Sequence, residues 1–407
     1  MALCRKITSF AILTLLLITV PSMPAYAQPA QTAVNITTAC QFNASSNIKT
    51  FKYAHDGRGT TAWKSSTAKK QYFEVSADEA IQCLSIQWKA APTEWRLYVQ
   101  DEDGAWQQSF IGFQRDFLHD YVPVFGNHSK VRIEATVYDV PLSIYEIAVY
   151  GKGKLPASVQ DWGKASQGID LMVISCHPDD EALYMGGTLP YYAGQRKLNT
   201  VVVYMTYSNR NRQTEALNCL WTMGVKNYPV FGDFKDRLTK TLPQAKAAWG
   251  EEKTIEFIVS KIRQYRPKVI VTHDLNGEYG HGMHKLTAYA TLKAIERSAI
   301  ASRYPQSAAK FGTWQVLKCY LHIYPANKLT MNWNIPLPAF GGKTALDMAK
   351  AGYEQHVSQH IYAFKVTDKG RLSCAQFGLA FSAVGLDKVK KDFFENIDTM
   401  RLVDNVN

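Results

Sequence analysis

Asp170-Leu171-Met172-Val173-Ile174-Ser175, running directly into Cys176-His177-Pro178-Asp179-Asp180-Glu181, is the stretch on which the reading of the fold turns. Its first half is a short apolar run, the pattern of a strand buried on both faces. Thr200 to Thr206 and Lys268 to Thr272 repeat that pattern, and Tyr228-Pro229-Val230-Phe231, flanked by Gly232, is a shorter version. Helical periodicity falls between them, at about 181–194, 211–224 and 251–265.

Strand alternating with helix predicts an α/β domain with a mostly parallel, Rossmann-like sheet and helices on both faces. Ligands of such sheets sit beyond the carboxyl ends of the strands. The polar half of the opening stretch lies at that edge. It sets one imidazole and three carboxylates at the start of a helix. A hydrolytic metal centre needs nitrogen and oxygen ligands with an open position, and a base that is not a ligand. His177 and Asp180 can ligate together, leaving Asp179 free as that base, although one carboxylate can equally serve as a helix cap. A second cluster follows the strand at Lys268–Thr272: His273-Asp274-Leu275-Asn276-Gly277-Glu278-Tyr279-Gly280-His281-Gly282-Met283-His284. His281 and His284 stand three apart between glycines. Four of the ten histidines thus lie at two strand ends of one expected sheet.

Working toward the N-terminus, the periodicity changes to two. Leu84, Ile86 and Trp88 alternate with Cys83, Ser85 and Gln87; Trp95, Leu97 and Val99 alternate with Arg96, Tyr98 and Gln100; Val131, Ile133 and Ala135 alternate with Arg132 and Glu134. With turn signals at Asp103-Gly104 and Gly126-Asn127, residues 35–151 read as an all-β, jelly-roll-like sandwich. The polar segment 152–168, containing Pro156 and Gly163, reads as a linker, and 169–405 as the α/β domain. Asp56-Gly57, Thr60-Thr61-Ala62-Trp63, the Trp95 strand, Val131-Arg132-Ile133 and Ile144-Tyr145-Glu146-Ile147 together resemble the discoidin-like (factor 5/8 type C) domains. That resemblance implies a loop-borne site for a glycan or lipid, with a ligand-free spacer as the alternative. Trp63 is the aromatic singled out as a stacking platform for sugar.

The α/β half resembles the PIG-L (LmbE-like) deacetylase family. The resemblance rests on His177–Glu181 as its His-Pro-Asp-Asp-Glu and on Gly280-His281-Gly282-Met283-His284 as its Gly-His-x-x-His. Arg212-Gln213-Thr214-Glu215 matches its Arg-x-x-Glu, and His356-Val357-Ser358-Gln359 its late His-x-Ser-Gln. Many bacterial members read Gly-His-Pro-Asp-His at the second motif, so Gly282-Met283 removes one carboxylate from the loop. The resemblance implies Zn2+ held by His177, Asp180 and His284, with Asp179 as general base and a protonated His281 stabilising the oxyanion. It implies that Arg212 contacts sugar hydroxyls together with Asp236, although the loop also aligns with Asp233 in that place. The activity implied is removal of the acetyl group from an N-acetylated sugar or glycan. Two alternatives stay open: a zinc amidohydrolase acting on a non-sugar amide, and a glycan-binding adhesion protein whose α/β half is inactive.

Arg5 and Lys6, the apolar run Phe10 to Val20 and Ala25-Tyr26-Ala27 read as a signal peptide over 1–27, hence an exported protein without a membrane span once mature. The formal charge of +11, or +9 without Arg5 and Lys6 (11 − 2), suits anionic cell-wall polymers. No motif for nucleic acid accompanies it, so nucleic acid is not expected as a partner. Outside the signal there are six cysteines, an even number that permits disulfides, with Cys40–Cys83 the first pair to examine. No CxxC occurs.

Overall fold

A computed structural model describes residues 31–67, 70–113 and 117–397. The expected signal peptide, and 398–405 of the expected α/β domain, lie outside the described residues.

Nine strands build the first half: β1 (Gln41–Ala44), β2 (Trp63–Lys64), β3 (Tyr72–Ser76), β4 (Ile81–Ala90), β5 (Glu94–Gln100), β6 (Trp106–Phe113), β7 (His119–Pro123), β8 (Lys130–Ala135) and β9 (Ser143–Gly151). They form two sheets, in the orders β1-β3-β8-β5-β6 and β2-β9-β4-β7, with every pairing antiparallel. The period of two is why they face each other: Leu84, Ile86, Trp88, Leu97, Val131 and Ile133 all point into one shared core. Trp63 belongs to that core. It is fully buried, edge-on to Phe73, so it offers no face to a sugar. The outward residues of β4 and β9, among them Ser85, Gln87 and Glu146, turn instead toward the second half.

In that second half the strands are β10 (Leu171–Ser175), β11 (Thr200–Thr206), β12 (Val230–Phe234), β13 (Val269–Thr272), β14 (Lys318–His322), β15 (Lys328–Thr330) and β16 (Gln376–Ser382). Their order is β12-β11-β10-β13-β14-β16-β15. The first five run parallel, and β16 and β15 pair antiparallel at one edge. The helices are α1 (Asp180–Leu183), α2 (Arg210–Thr222), α3 (Leu242–Trp249), α4 (Glu251–Tyr265), α5 (Gly282–Ser298), α6 (Pro305–Phe311) and α7 (Ala345–Tyr353). Leu171 and Val173 pack with α2 and α7, while Met172 and Ile174 pack with α3, α4 and α5. An uninterrupted apolar strand is what two covered faces require. The strand order reverses between β10 and β13, and there the crevice opens at the carboxyl ends.

One expectation is corrected, and two open readings gain detail. The helix expected over 181–194 stops at Leu183, and after a break around Gly186-Gly187 a π-turn runs from Pro190 to Gln195. A Cβ on Gly187 would lie 2.2 Å from the Trp333 ring, so close packing by a distant segment decides this local break. The linker segment 152–168 is tied to both halves by side-chain hydrogen bonds. Gln160 Oε1 takes hydrogen bonds from His119 Nδ1 at 2.7 Å and Trp162 Nε1 at 2.9 Å, and Gln160 Nε2 donates to Asn218 Oδ1 at 2.7 Å. Finally, all six described cysteines are free. Cys83 is buried beside Tyr150 and Val159, whereas Cys40 packs against the sandwich core and donates to the Ile36 carbonyl.

Candidate active site

Strand β10 delivers the loop Cys176–Asp179 to the crevice, and β13 delivers His273 to His281 from the other side. Three ligand-type atoms meet there. His177 Nδ1 is 3.0 Å from Asp180 Oδ2, and His284 Nε2 is 3.2 Å from each of them. Neighbouring corners of a zinc tetrahedron with bonds of about 2.0–2.1 Å are separated by about 3.3 Å, so the trio fits one face of it. Cys176 Sγ lies in the same cluster, all of it buried.

Hydrogen bonds behind the trio aim its lone pairs inward. His284 Nδ1 donates to Glu278 Oε2 at 2.8 Å, leaving Nε2 bare. His177 Nε2 lies 3.4 Å from Asp236 Oδ1, leaving Nδ1 to the cluster. Bare nitrogens turned on a carboxylate in the interior call for a cation, either protons or a metal. With protons, burial pulls His284 down, but Asp180 and Glu278 outweigh it and raise the ring to about 10. Burial likewise opposes the charged form of His177, which Cys176 and Asp180 nevertheless raise well above its ordinary value.

Glu278, fully buried, is the hub of this network. Oε2 accepts from His273 Nδ1 and His284 Nδ1, both at 2.8 Å; Oε1 accepts from His322 Nδ1 at 2.7 Å and the Asp274 amide at 3.1 Å. All four lone-pair directions of the carboxylate are thereby used. Burial opposes its charge, but the imidazoles hold it well below the usual carboxylate range. His322 Nε2 also faces an acceptor, the Ser373 carbonyl at 3.0 Å. His273 Nε2 accepts from the Cys176 amide at 2.8 Å, tying the two loops together.

Asp179 stands apart from the trio. Its backbone is forced to φ 120°, a left-handed conformation costly for a residue with a Cβ, and the Glu181 carboxylate holds its amide at 2.9 Å. Glu181 is gripped in turn by His356 Nε2 at 3.3 Å. Burial, then the adjacent Asp180, push Asp179 up to about 7 against the pull of Arg212. A carboxyl titrating near neutrality is suited to accepting and returning a proton.

The remaining expected residues fall at the same pocket, a cavity of about 360 Å3 lined also by Tyr279, Gln359, Tyr362 and Phe364. Arg212 Nη2 bonds to the Pro178 carbonyl and lies 3.3 Å from Asp179 Oδ1. It lines the pocket beside Asp179, with its Nε left without a partner. Asp236 is the acid of its loop brought to His177, which lowers it to about 2, while Asp233 lines a neighbouring groove. His281 caps α5 by accepting the Met283 amide on Nδ1 at 3.3 Å, so Nε2 carries the proton. Burial and the nearby His284 and His177 depress His281 to about 3, which favours a neutral ring that donates from Nε2. Met283, where many members of the resembled family carry Asp, is buried among the apolar residues under the sheet. Glu278, Tyr279, His322 and Glu181 had no role from sequence. The signal available was their place inside or beside the two motif loops.

Residues 172–295 match the family model described as GlcNAc-PI de-N-acetylase, PIG-L. Residues 172–295 are a PIG-L domain. A curated relative, 1D-myo-inositol 2-acetamido-2-deoxy-alpha-D-glucopyranoside deacetylase of Mycobacterium leprae, is 25% identical over 194 residues, 40% of this chain and 63% of the relative. The chain therefore spans less than two thirds of that relative's length. Among solved structures, N,N'-diacetylchitobiose deacetylase from Pyrococcus horikoshii is 15% identical, covering 47% of this chain and 70% of that one, with a TM-score of 0.35. CpGH89CBM32-6 from Clostridium perfringens is 14% identical, covering 29% of this chain and all of that one, with a TM-score of 0.26. The PIG-L domain contains every expected site residue, whereas the late motif lies beyond it. There Ser358 donates to Glu215 from its amide at 2.8 Å and from Oγ at 2.6 Å, so two motifs of the resemblance clasp one another.

Proposed function

We propose that this protein is an exported, zinc-dependent deacetylase of N-acetylglucosamine-type sugars or glycans. The observation that carries the reading is the trio of lone pairs at His177, Asp180 and His284, mutually 3.0–3.2 Å apart, beside a carboxylate that belongs to none of them. The PIG-L match and the deacetylase named above support it. A cavity of about 360 Å3 lies at the small end of ligand pockets, roughly 300–1,000 Å3, a size suited to one sugar ring with its acetamide.

Zinc held by His177, Asp180 and His284 supplies Lewis acidity that makes water nucleophilic at neutral pH. The chain's own residues do the rest. Asp179, held by Arg212, takes the proton of the attacking water as the new C–O bond forms at the acetamide carbon. His281 Nε2–H donates to the carbonyl oxygen as negative charge gathers there. When the C–N bond breaks, Asp179 returns its proton to the leaving nitrogen, because His281 as a neutral Nε2–H donor is the weaker acid. Acetate and a free amino sugar result.

The test is acetate release from N-acetylglucosamine, its oligomers and peptidoglycan fragments by zinc-loaded protein, with Asp179→Asn alongside. Release that disappears in the variant while zinc stays bound supports the assignment. Near-full turnover by Asp179→Asn refutes the base. Silence from zinc-loaded wild type on every acetylated sugar refutes the deacetylase.

A further inference from the structure

A cavity of about 760 Å3 lies away from the metal-type cluster, between the sandwich and the PIG-L domain. One wall is the outward face of β4 and β9, through Ser85, Gln87 and Glu146; the other is α2 and the segment following α7. Two elements are shared with the catalytic pocket. On α2, Arg212 lines the pocket while Asn211, Thr214 and Asn218 line the cleft. In the late motif, Gln359 lines the pocket while Val357 and Ser358 line the cleft. The two cavities are therefore neighbours that share α2 and the 357–359 segment.

We infer that this interdomain cleft binds further sugar residues of the glycan whose acetamide enters the catalytic pocket. The inference rests on the deacetylase reading and deepens it by naming an oligosaccharide as the substrate class. The lining supplies the chemistry. It is rich in amides and hydroxyls and contains no lysine or arginine, so it has nothing to pair with a phosphate or a carboxylated sugar. The Glu146 carboxylate sits at the cleft beside the Gly57 and Arg58 amides, with its Oε1 buried. Buried acceptors and side-chain amides facing a cavity suit pyranose hydroxyls, which both donate and accept. With twice the volume of the catalytic pocket, the cleft has room for more than one ring. Only both domains together form it, which gives the sandwich a place in substrate recognition without an exposed aromatic platform.

Binding is measured by calorimetry on the full zinc-loaded chain carrying Asp179→Asn, using N-acetylglucosamine oligomers from the monosaccharide to the hexasaccharide. A second arm uses the fully deacetylated oligomers, distinguishing acetylated chain from product chain as the cleft's occupant. Ser85→Trp fills the cleft, and Gln87→Ala removes an amide without adding bulk. The expected result is affinity rising at least about tenfold with length in one arm or both. That gain should be lost in Ser85→Trp and reduced in Gln87→Ala, with monosaccharide turnover unchanged when the two are made in the active chain. Equal affinity at every length overturns the inference, as does a length dependence that survives both substitutions. Cleft-dependent binding without acetate release from any acetylated sugar would instead sink the deacetylase reading and leave the cleft standing.

Discussion

At the residue scale, the ligand-type side chains were legible because chemistry concentrates them: His177, Asp180, His281 and His284 stand in two short loops at strand ends. What holds them was not, because hydrogen-bond partners are chosen by three-dimensional proximity. Glu278 is one position before Tyr279 in a loop already under suspicion, but only the fold brings His322 from β14 to its other oxygen. Its carboxylate does for His284 what no side chain at Met283 can do. Glu278→Gln should therefore weaken zinc binding by roughly 10–100-fold, since the amide no longer enforces the Nδ1–H form of His284. It also weakens a buried hydrogen bond between His322 and a charged acceptor, a loss of roughly 1.5–3 kcal/mol. Competition with a chromogenic chelator, read beside the denaturation midpoint, separates the two effects; zinc affinity within a factor of two of wild type would refute the orienting role. His281→Ala makes the opposite prediction. Metal binding should be unaltered, and kcat/KM should fall by roughly 2.7–4 kcal/mol of transition-state stabilisation. A drop in zinc occupancy would place His281 among the ligands.

At the element scale, strands were easier to read than helices. Met172 and Ile174 face one layer and Leu171 and Val173 the other, so β10 is apolar throughout and visible as such. After it, Ala182, Leu183, Leu189 and Tyr192 keep a helical rhythm across the break, so the sequence predicts one long helix where the chain folds as two pieces. Nothing local announces Trp333, which approaches from about 150 residues downstream and occupies the space a side chain at Gly187 would need. The same failure explains Trp63, which looked like a loop aromatic and is core because its two-residue strand pairs with β9. Gly187→Ala tests the tertiary origin of the break. The added methyl must displace the Trp333 ring, an overpacking cost of roughly 1–3 kcal/mol. If helix propensity governed here, the substitution would stabilise by roughly 1 kcal/mol instead. The sign of the change in the denaturant midpoint, at constant slope, decides between them.

At the scale of the whole molecule, the two halves are joined by a polar latch that no periodicity could reveal. His119 on β7, Gln160 in the connecting segment and Asn218 on α2 form one chain of hydrogen bonds, flanked by Phe117 stacked on Tyr228 at 4.2 Å. Gln160 Oε1 takes the proton on His119 Nδ1, and His119 Nε2 is buried with no partner. A second proton on this ring would place a charge in the interior with nothing to accept it. Burial accordingly lowers His119 from 6.5 to about 4. The unfolded chain therefore takes up this proton before the folded one does. The stability contributed by the neutral ring is complete above about pH 6.5 and is lost as pH falls toward 4 and below, by up to roughly 3 kcal/mol. Other imidazoles titrate in the same window, so the measurement is a difference. Thermal midpoints of wild type and His119→Gln, each zinc-loaded, are compared from about pH 7 down to about pH 4. The glutamine can still donate to Gln160 but has no proton to gain, so its midpoint should fall less steeply with acid, and the curves should converge or cross below about pH 5. Parallel curves throughout would mean that the latch is not where acid first loosens the two halves.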